Sequence, residues 1–250
     1  LAISFDRVAE KYDSTRALPD EVMKEIFAAF ERMMSRDTVI LDAGVGTGRF
    51  SLPMQEHEFE VVGVDISMKM LRRAREKGVQ NLFRGNMCSL PFMDNAFQFS
   101  FSVHVLHLIK DWKCALGEIG RVTTDEYLSV LSEKSGSPAQ GIRNTYDAAC
   151  KDLGFDVHHV GLRERELPDL LPPDSYTKLL LYEHTIDVPS LIEEYQDRLF
   201  SDQWIVPEDI HEQAMEVVRE RFEGVESLLE IEDIRIATWD AGRIRNFCLR

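Results

Sequence analysis

Val39-Ile40-Leu41-Asp42-Ala43-Gly44-Val45-Gly46-Thr47-Gly48-Arg49-Phe50 is the stretch on which the reading of this chain turns. Three apolar residues run into an acid, then glycines alternate at 44, 46 and 48. The apolar run reads as a buried parallel strand. Glycines at that spacing read as a tight turn whose backbone N–H groups can approach a ligand closely, since no Cβ stands in the way. From Arg49 onward, Phe50, Leu52 and Met54 read as the next helix, whose first N–H groups lack partners and suit an anion. Ligands of open parallel sheets bind at such strand ends. A plain glycine turn between strand and helix is the alternative.

The spacing is not that of the dinucleotide fingerprint G-x-G-x-x-G, because position 49 is Arg. An acid sits two residues before the first glycine, giving D-x-G-x-G-x-G. That pattern resembles motif I of the class I S-adenosylmethionine (SAM)-dependent methyltransferases. The resemblance implies that Asp42, Gly44, Gly46 and Gly48 hold the methionine end of the cofactor, with the carboxylate facing its ammonium.

A second apolar run, Val61-Val62-Gly63-Val64, also ends in an acid, Asp65, followed by Ile66 and the N-cap candidate Ser67. A carboxylate at a neighbouring strand end can accept hydrogen bonds from both hydroxyls of a ribose. Asp65 and Ile66 therefore join the cofactor-binding set. The competing role for Asp65 is to cap the following helix.

Asn81–Gly85 reads as the third strand. The segment after it, Asn86-Met87-Cys88-Ser89-Leu90-Pro91-Phe92, is similar to the family's G-D-A-x-x-L-P-F. The resemblance implies that Asn86 accepts from the adenine amino group and that the Met87 N–H meets an adenine ring nitrogen. Ala96–Ser102 reads as the fourth strand and runs into Val103-His104-Val105-Leu106-His107. This resembles the family's segment under the reacting sulfonium, so Ser102 and Val103 are expected to line the methyl-transfer pocket. His104 is the candidate general base, against the alternative of a pocket wall. His107 reads as a buried, hydrogen-bonded histidine.

Ahead of the first strand, Phe5, Val8, Ala9 and Tyr12 recur at helical spacing. They resemble the F-D-x-x-A-x-x-Y-D leader that folds over the cofactor in small-molecule methyltransferases, which implies contacts from Tyr12 and Arg16. An amphipathic helix over 20–34 follows, with Val22, Ile26, Phe30 and Met33 as its stripe.

Two departures from the family stand out. Gln98 replaces an acid in the fourth strand, and Thr123-Thr124-Asp125-Glu126 replaces the usual Leu-Lys-Pro-Gly-Gly turn before the fifth strand, Tyr127–Ser132. Beyond it a helix is expected over 139–153 with Gly154 as its stop. A sixth strand is expected at Phe155–Val160 and a last one at Ile231–Trp239. The resemblance makes these two an antiparallel hairpin closing the sheet. Residues 170–226 are then a helical insertion, with Pro207-Glu208-Asp209 as a helix-start signal. Tyr195 and Trp204 offer aromatic surface for an organic substrate.

The fold expected is α/β: a Rossmann-like doubly wound seven-stranded sheet with an antiparallel last strand and a small helical cap. The domains expected are a SAM-binding core at 1–169 with its leader helix, the cap at 170–226, and a last strand at 227–250 completing the core. The chain is identified as a member of the small-molecule type, similar to the ubiquinone- and menaquinone-biosynthesis methyltransferase group. That implies in-line transfer of the sulfonium methyl from SAM to a small molecule, with S-adenosyl-L-homocysteine as product. A SAM-binding regulatory or interaction module without transfer is the alternative, and an NAD oxidoreductase the third.

Composition narrows the partners. The net charge of −15 disfavours general nucleic-acid binding. The basic cluster Arg72, Arg73, Arg75 and Lys77 reads as a solvated helix face. No apolar run approaches a membrane span. Leu1–Asp6 lacks a basic start and a long apolar core, so no signal peptide is expected. Cys88, Cys114, Cys150 and Cys248 form no C-x-x-C or zinc-type spacing, so no metal is expected, and scattered thiols fit a reducing cytoplasm. Exposed amphipathic helices leave a homodimer interface as a competing use of the insertion.

Overall fold

The computed structural model describes residues 18–135 and 138–249. Tyr12, Arg16 and the leader helix expected at 5–16 lie outside the described residues.

In chain order the first elements are α1 (Asp20–Met33), β1 (Val39–Ala43), α2 (Ser51–Glu56), β2 (Glu60–Asp65), α3 (Met68–Glu76), β3 (Leu82–Arg84) and β4 (Phe97–Ser102). There follow α4 (Trp112–Val122), β5 (Thr123–Ser135), α5 (Pro138–Asp152), the single turn α6 (Leu167–Leu170), β6 (Ser175–Asp187) and α7 (Val188–Gln196). The chain ends with α8 (Glu208–Arg221), β7 (Ser227–Asp240) and α9 (Ala241–Cys248).

The seven strands lie in the order β3-β2-β1-β4-β5-β7-β6. β1 to β5 pair in parallel and the last strands are antiparallel, which is the Rossmann-like α/β sheet expected. The chain leaves β1 for β2 and β3 on one side, then returns to place β4 on the other. The carboxyl end of β1 is therefore a topological switch point, where open α/β sheets leave a crevice.

Contacts divide the chain into two compact units. The first runs up to Leu131 and includes Gly161–Leu180 and the residues from Ile234 on; the second comprises Ser132–Val160 and Leu181–Asp233.

The core of the first unit follows from its apolar runs. In β1, Ile40, Leu41 and Ala43 are fully buried. α1 lays Val22, Ile26 and Phe30 inward, and the Phe30 ring meets Phe101 of β4 at 5.5 Å. α4 buries Ala115, Leu116, Ile119 and Gly120. A Cβ on Gly120 would stand 3.0 Å from Ile244 of α9, so the missing side chain lets the two helices approach closely. In α3, Ser67 caps the helix by accepting from the Met70 N–H at 3.1 Å, while Lys69, Arg72 and Arg75 are exposed.

The second unit has its own core, built from Ile142, Tyr146 and Cys150 of α5 against Ala214, Met215 and Val218 of α8. Tyr146 Oη lies 2.8 Å from His211 Nδ1.

Three expectations need correction. Residues 155–160 form no strand. Gly154, at φ +87°, ends α5 as expected, but Phe155 and Val157 then pack into the helical core. The sixth strand is instead Ser175–Asp187, so the insertion at 170–226 is not helical throughout. Its Tyr, Thr and Ile content suits a strand, while the run Leu179-Leu180-Leu181 masks the alternation. Tyr195 is buried, 5.8 Å from the Tyr146 ring and 4.6 Å from Phe200, and supplies core rather than open aromatic surface.

Candidate active site

The turn after β1 gives each of its glycines a separate task. Gly44, Gly46 and Gly48 have φ of +87°, +54° and +79°, the left-handed region that side chains resist. The N–H groups of Gly44 and Val45 donate to Val64 O of β2 at 2.9 and 3.0 Å. A Cβ at Gly44 would stand 2.3 Å from Val105 Cγ2, and one at Gly48 2.4 Å from Val79 Cγ2. A Cβ at Gly46 would meet nothing nearer than Gly44 O at 4.0 Å. Gly44 and Gly48 thus let the turn pack on the protein, whereas Gly46 borders open space.

The two acids occupy different environments. Asp42 is buried and accepts from Ser51 Oγ at 2.6 Å. Burial pushes its carboxyl up to about 7; the Ser51 hydrogen bond opposes this, the charge of Asp65 adds to it, and Arg49 opposes it. Asp65 is half-buried. Its Oδ2 accepts from the Gly46 N–H at 3.0 Å and its Oδ1 from the Ser67 N–H at 2.8 Å. Asp65 therefore braces Gly46 and the start of α3 together.

Beyond β2, Ile66 is exposed, and its carbonyl accepts from Arg84 Nε at 3.2 Å. Beyond β3, Asn86 Oδ1 accepts from the Cys88 N–H at 3.0 Å, forming a turn with Met87 buried beneath it. An amide oxygen has a second lone pair for another donor.

The end of β4 divides its candidates. Ser102 is fully buried, with Oγ 2.7 Å from Tyr127 Oη, and Val103 is buried beside it. His104 is exposed and stands at φ +56°, a conformation that costs a residue other than Gly, Asn or Asp about 1–3 kcal/mol. His107 Nδ1 lies 3.6 Å from Glu164 Oε2.

Glu164 and Ser51 are site-building residues that the sequence reading did not include. Glu164 is buried and accepts from the N–H groups of Val105 and Leu106. Burial alone would raise its carboxyl; hydrogen bonding and charge from His107, the charge of His104 and the Leu106 N–H hold it down at about 2. Its backbone partners lie 58 and 59 residues away, so no local pattern signals it. Ser51 could have been found as the first hydroxyl after the glycine turn.

Both departures from the family have structural accounts. Gln98 Oε1 accepts from the Val39 N–H at 3.0 Å, pinning the start of β1 to β4. Thr123 needs no turn, because α4 passes straight into β5. Its Oγ1 bonds to Ile119 O at 2.7 Å and to Ser100 Oγ at 2.9 Å, ending the helix and joining the strand at once. In the second unit, His184, Glu230 and Glu232 are grouped closely enough to ligate a metal. Lys134 Nζ bonds Glu230 and stands 3.0 Å from Glu232 Oε1, so an internal cation already offsets part of that charge.

Three strand ends thus bring together a glycine turn open at Gly46, the Asp65 carboxylate, and an amide turn at Asn86. Those features fit a nucleoside with an extended polar tail. Residues 41–126 match the family model described as "Methyltransferase domain". A malonyl-[acyl-carrier protein] O-methyltransferase of Halorhodospira halophila is 32% identical over 187 residues, 70% of this chain and 63% of that protein. The enzyme of the same name from Methylovorus sp. is 29% identical over 176 residues, 63% of this chain and 59% of that protein. The chain spans less than two thirds of the length of these curated relatives. Among solved structures, YcgJ from Bacillus subtilis superposes with a TM-score of 0.57 at 20% identity, covering 88% of this chain and 99% of that one. A SAM-dependent methyltransferase from Thermotoga maritima gives 0.51 at 18%, covering 95% and 98%. These two likenesses show the fold. Residues 41–126 thus carry the methyltransferase-domain match, on a Rossmann-like methyltransferase fold.

Proposed function

We propose that this chain is a SAM-dependent methyltransferase acting on a small molecule. The carrying observation is the Gly46–Asp65 pair: the glycine that borders open space is the one whose N–H the strand-end carboxylate accepts, at 3.0 Å. In this reading Asp65 takes the ribose hydroxyls, with Ile66 beside the nucleoside. Asn86 and the Met87 N–H take the adenine edge. Gly44, Gly46 and Gly48 pass the cofactor's tail, and Asp42 answers its ammonium. Tyr12 and Arg16 belong to the same proposed set. When bound, SAM supplies an electrophilic methyl on a sulfonium for in-line transfer to a nucleophile, leaving S-adenosylhomocysteine.

The chain's own work is positioning. Ser102 anchors the end of β4 through Tyr127, Val103 presents an apolar wall that limits water, and His104 stands exposed where it can accept a proton from the nucleophile. A nucleophile that arrives deprotonated needs no base. The relatives are named as O-methyltransferases of malonyl-[acyl-carrier protein], so a carboxylate oxygen is the first acceptor to test. That the helical part of the insertion at 170–226 sets substrate choice belongs to this reading. So does a cytoplasmic location, in keeping with four free thiols. Among the described residues no helix is long and apolar enough to cross a membrane.

The test is thermal. A ligand bound only by the native state raises Tm, so SAM and S-adenosylhomocysteine at saturation should each raise it by several degrees. No shift with folded protein would sink the reading.

A further inference from the structure

We infer that Glu164 is a positioning residue for the loop after β4, and that through Val105 it also sets the glycine turn. The inference rests on the proposed function for its consequence, though not for its geometry.

Glu164 sits in a short helical turn, Glu164–Glu166, remote in sequence from β4. Its side chain is buried, and its hydrogen-bonding and charge partners Val105, Leu106, His107 and His104 all belong to the loop after β4. Oε1 accepts from both Val105 N–H and Leu106 N–H, while Oε2 faces His107 Nδ1 at 3.6 Å. One carboxylate therefore holds consecutive backbone amides and a side chain of a single loop. Charge-assisted bonds of this kind are roughly twice as strong as neutral ones. Desolvating a carboxylate is costly, and apolar packing would fill the same volume without that cost. Placing an anion here makes sense where the backbone it grips must be held in one geometry.

The approach of the segment carrying Glu164 is equally specific. Gly161 N–H donates to His107 O at 3.0 Å. A Cβ on Gly161 would stand 2.2 Å from Leu106 O and 2.4 Å from Ile109 O. Residues 161–164 thus press directly on residues 105–109.

Two parts of the candidate site depend on the gripped loop. His104, immediately before Val105, holds its unfavourable φ of +56°, which persists only where the surroundings impose it. Val105 fills the space that a side chain at Gly44 would need. The linkage runs from Glu164 to the Val105 amide, from the Val105 side chain to Gly44, and so to the turn beneath the cofactor's tail.

The test uses the whole chain, with S-adenosylhomocysteine as probe and three variants. In Glu164→Ala, the amides of Val105 and Leu106 should exchange at least tenfold faster in the ligand-free protein, and S-adenosylhomocysteine should bind at least tenfold more weakly by calorimetry. Glu164→Gln keeps an acceptor oxygen for the amides but not the charge, and should recover only part of both losses. Leu162→Ala removes a buried neighbour from the same segment; it should lower Tm without changing affinity in the folded protein. Unchanged amide exchange in Glu164→Ala overturns the inference, as does wild-type affinity. A Leu162→Ala variant that loses affinity to the same degree also overturns it, since the effect would then be general destabilisation. Should Glu164→Ala fail to fold, Glu164→Gln decides: the Val105 and Leu106 amides must exchange faster than in wild type, and wild-type exchange overturns the inference. Absence of binding by the wild type is a different failure. It would remove the proposed function, while amide exchange would still report whether Glu164 grips the loop.

Discussion

Val105 Cγ2 occupies the position that would face a side chain at Gly44, 2.3 Å from where a Cβ would be built. The turn after β1 and the loop after β4 are therefore fitted to each other, and the fit is exclusive: either the valine or a Cβ, not both. Gly44→Ala should destabilise the protein by about 1–3 kcal/mol through overpacking, with about 1–2 kcal/mol more for the left-handed backbone. Adding Val105→Ala should return the overpacking part and leave the backbone part. A double-mutant cycle by urea denaturation measures the coupling. Additive losses would show that the two residues do not compete for that space.

Asp65 has a local role and a proposed ligand role, and two substitutions separate them. Asp65→Ala loses the acceptors for Gly46 and Ser67 along with the ribose contacts, and should weaken SAM binding by about 1.5–3 kcal/mol, the scale of hydrogen bonds to a charged group. Asp65→Asn keeps one acceptor oxygen and should lose less. Far-UV circular dichroism should be unchanged in both. Normal SAM affinity in Asp65→Ala would show that the ribose is held elsewhere.

Asp42 gives a prediction about pH. Its carboxyl is raised from 3.8 to about 7 in the folded chain. Between those values the folded chain holds a proton that the unfolded chain has released, so raising the pH through this window removes stability. Above about pH 7 both states are ionised and the loss is complete. Glu164 acts in the opposite sense at lower pH: its carboxyl is held down at about 2, so its stabilisation is lost as pH falls below about 4.5. The interval from pH 5 to 7 therefore isolates Asp42 from Glu164. Asp42→Asn, which mimics the protonated acid, should flatten the ligand-free stability profile there relative to wild type, by at most ~1.4 kcal/mol per pH unit. Parallel profiles from urea titrations at pH 5, 6, 7 and 8 would show that Asp42 is ionised throughout.

The parts of the molecule that were legible in the sequence are those with a local signature. A parallel strand buried on both faces must be apolar along its length, so β1 and β2 show as runs such as Val39–Leu41 and Val61–Val64. The left-handed turn leaves glycines at fixed places. Pro207 with Glu208 and Asp209 marks the start of α8, where the helix begins. What was not legible depends on distant partners. Phe155-Asp156-Val157 alternates like a strand, yet its apolar residues go to a helical core. Thr123 looks like a missing turn until its hydroxyl is seen to hydrogen-bond both Ile119 O and Ser100 Oγ. Nothing near Glu164 in the chain announces that its ligands are the amides of Val105 and Leu106.

The aromatic residues of the insertion give the last prediction, since the structure separates two that look alike in sequence. Tyr195 is 5% exposed, packed between Tyr146 and Phe200 in the core of the second unit. Its backbone carbonyl also accepts from Gln203 Nε2 at 2.9 Å. Trp204 is half-buried, and its Nε1 donates to Arg198 O at 2.6 Å. Truncating a buried aromatic residue costs about 3–5 kcal/mol, so Tyr195→Ala should lower stability by that order. Trp204→Ala should cost less, on the order of 1–2 kcal/mol for one hydrogen bond and partial burial. Every proposed cofactor contact lies outside the second unit, so both variants should keep wild-type SAM affinity at a temperature where they are folded. If the insertion sets substrate choice, the change in turnover or substrate range falls on Trp204→Ala, whose ring is partly open, and Tyr195→Ala shows a stability defect alone. Size-exclusion chromatography supplies the control. A Trp204→Ala variant that dissociates an oligomer and keeps its turnover would assign the insertion to assembly, leaving substrate choice to the loop that carries His104.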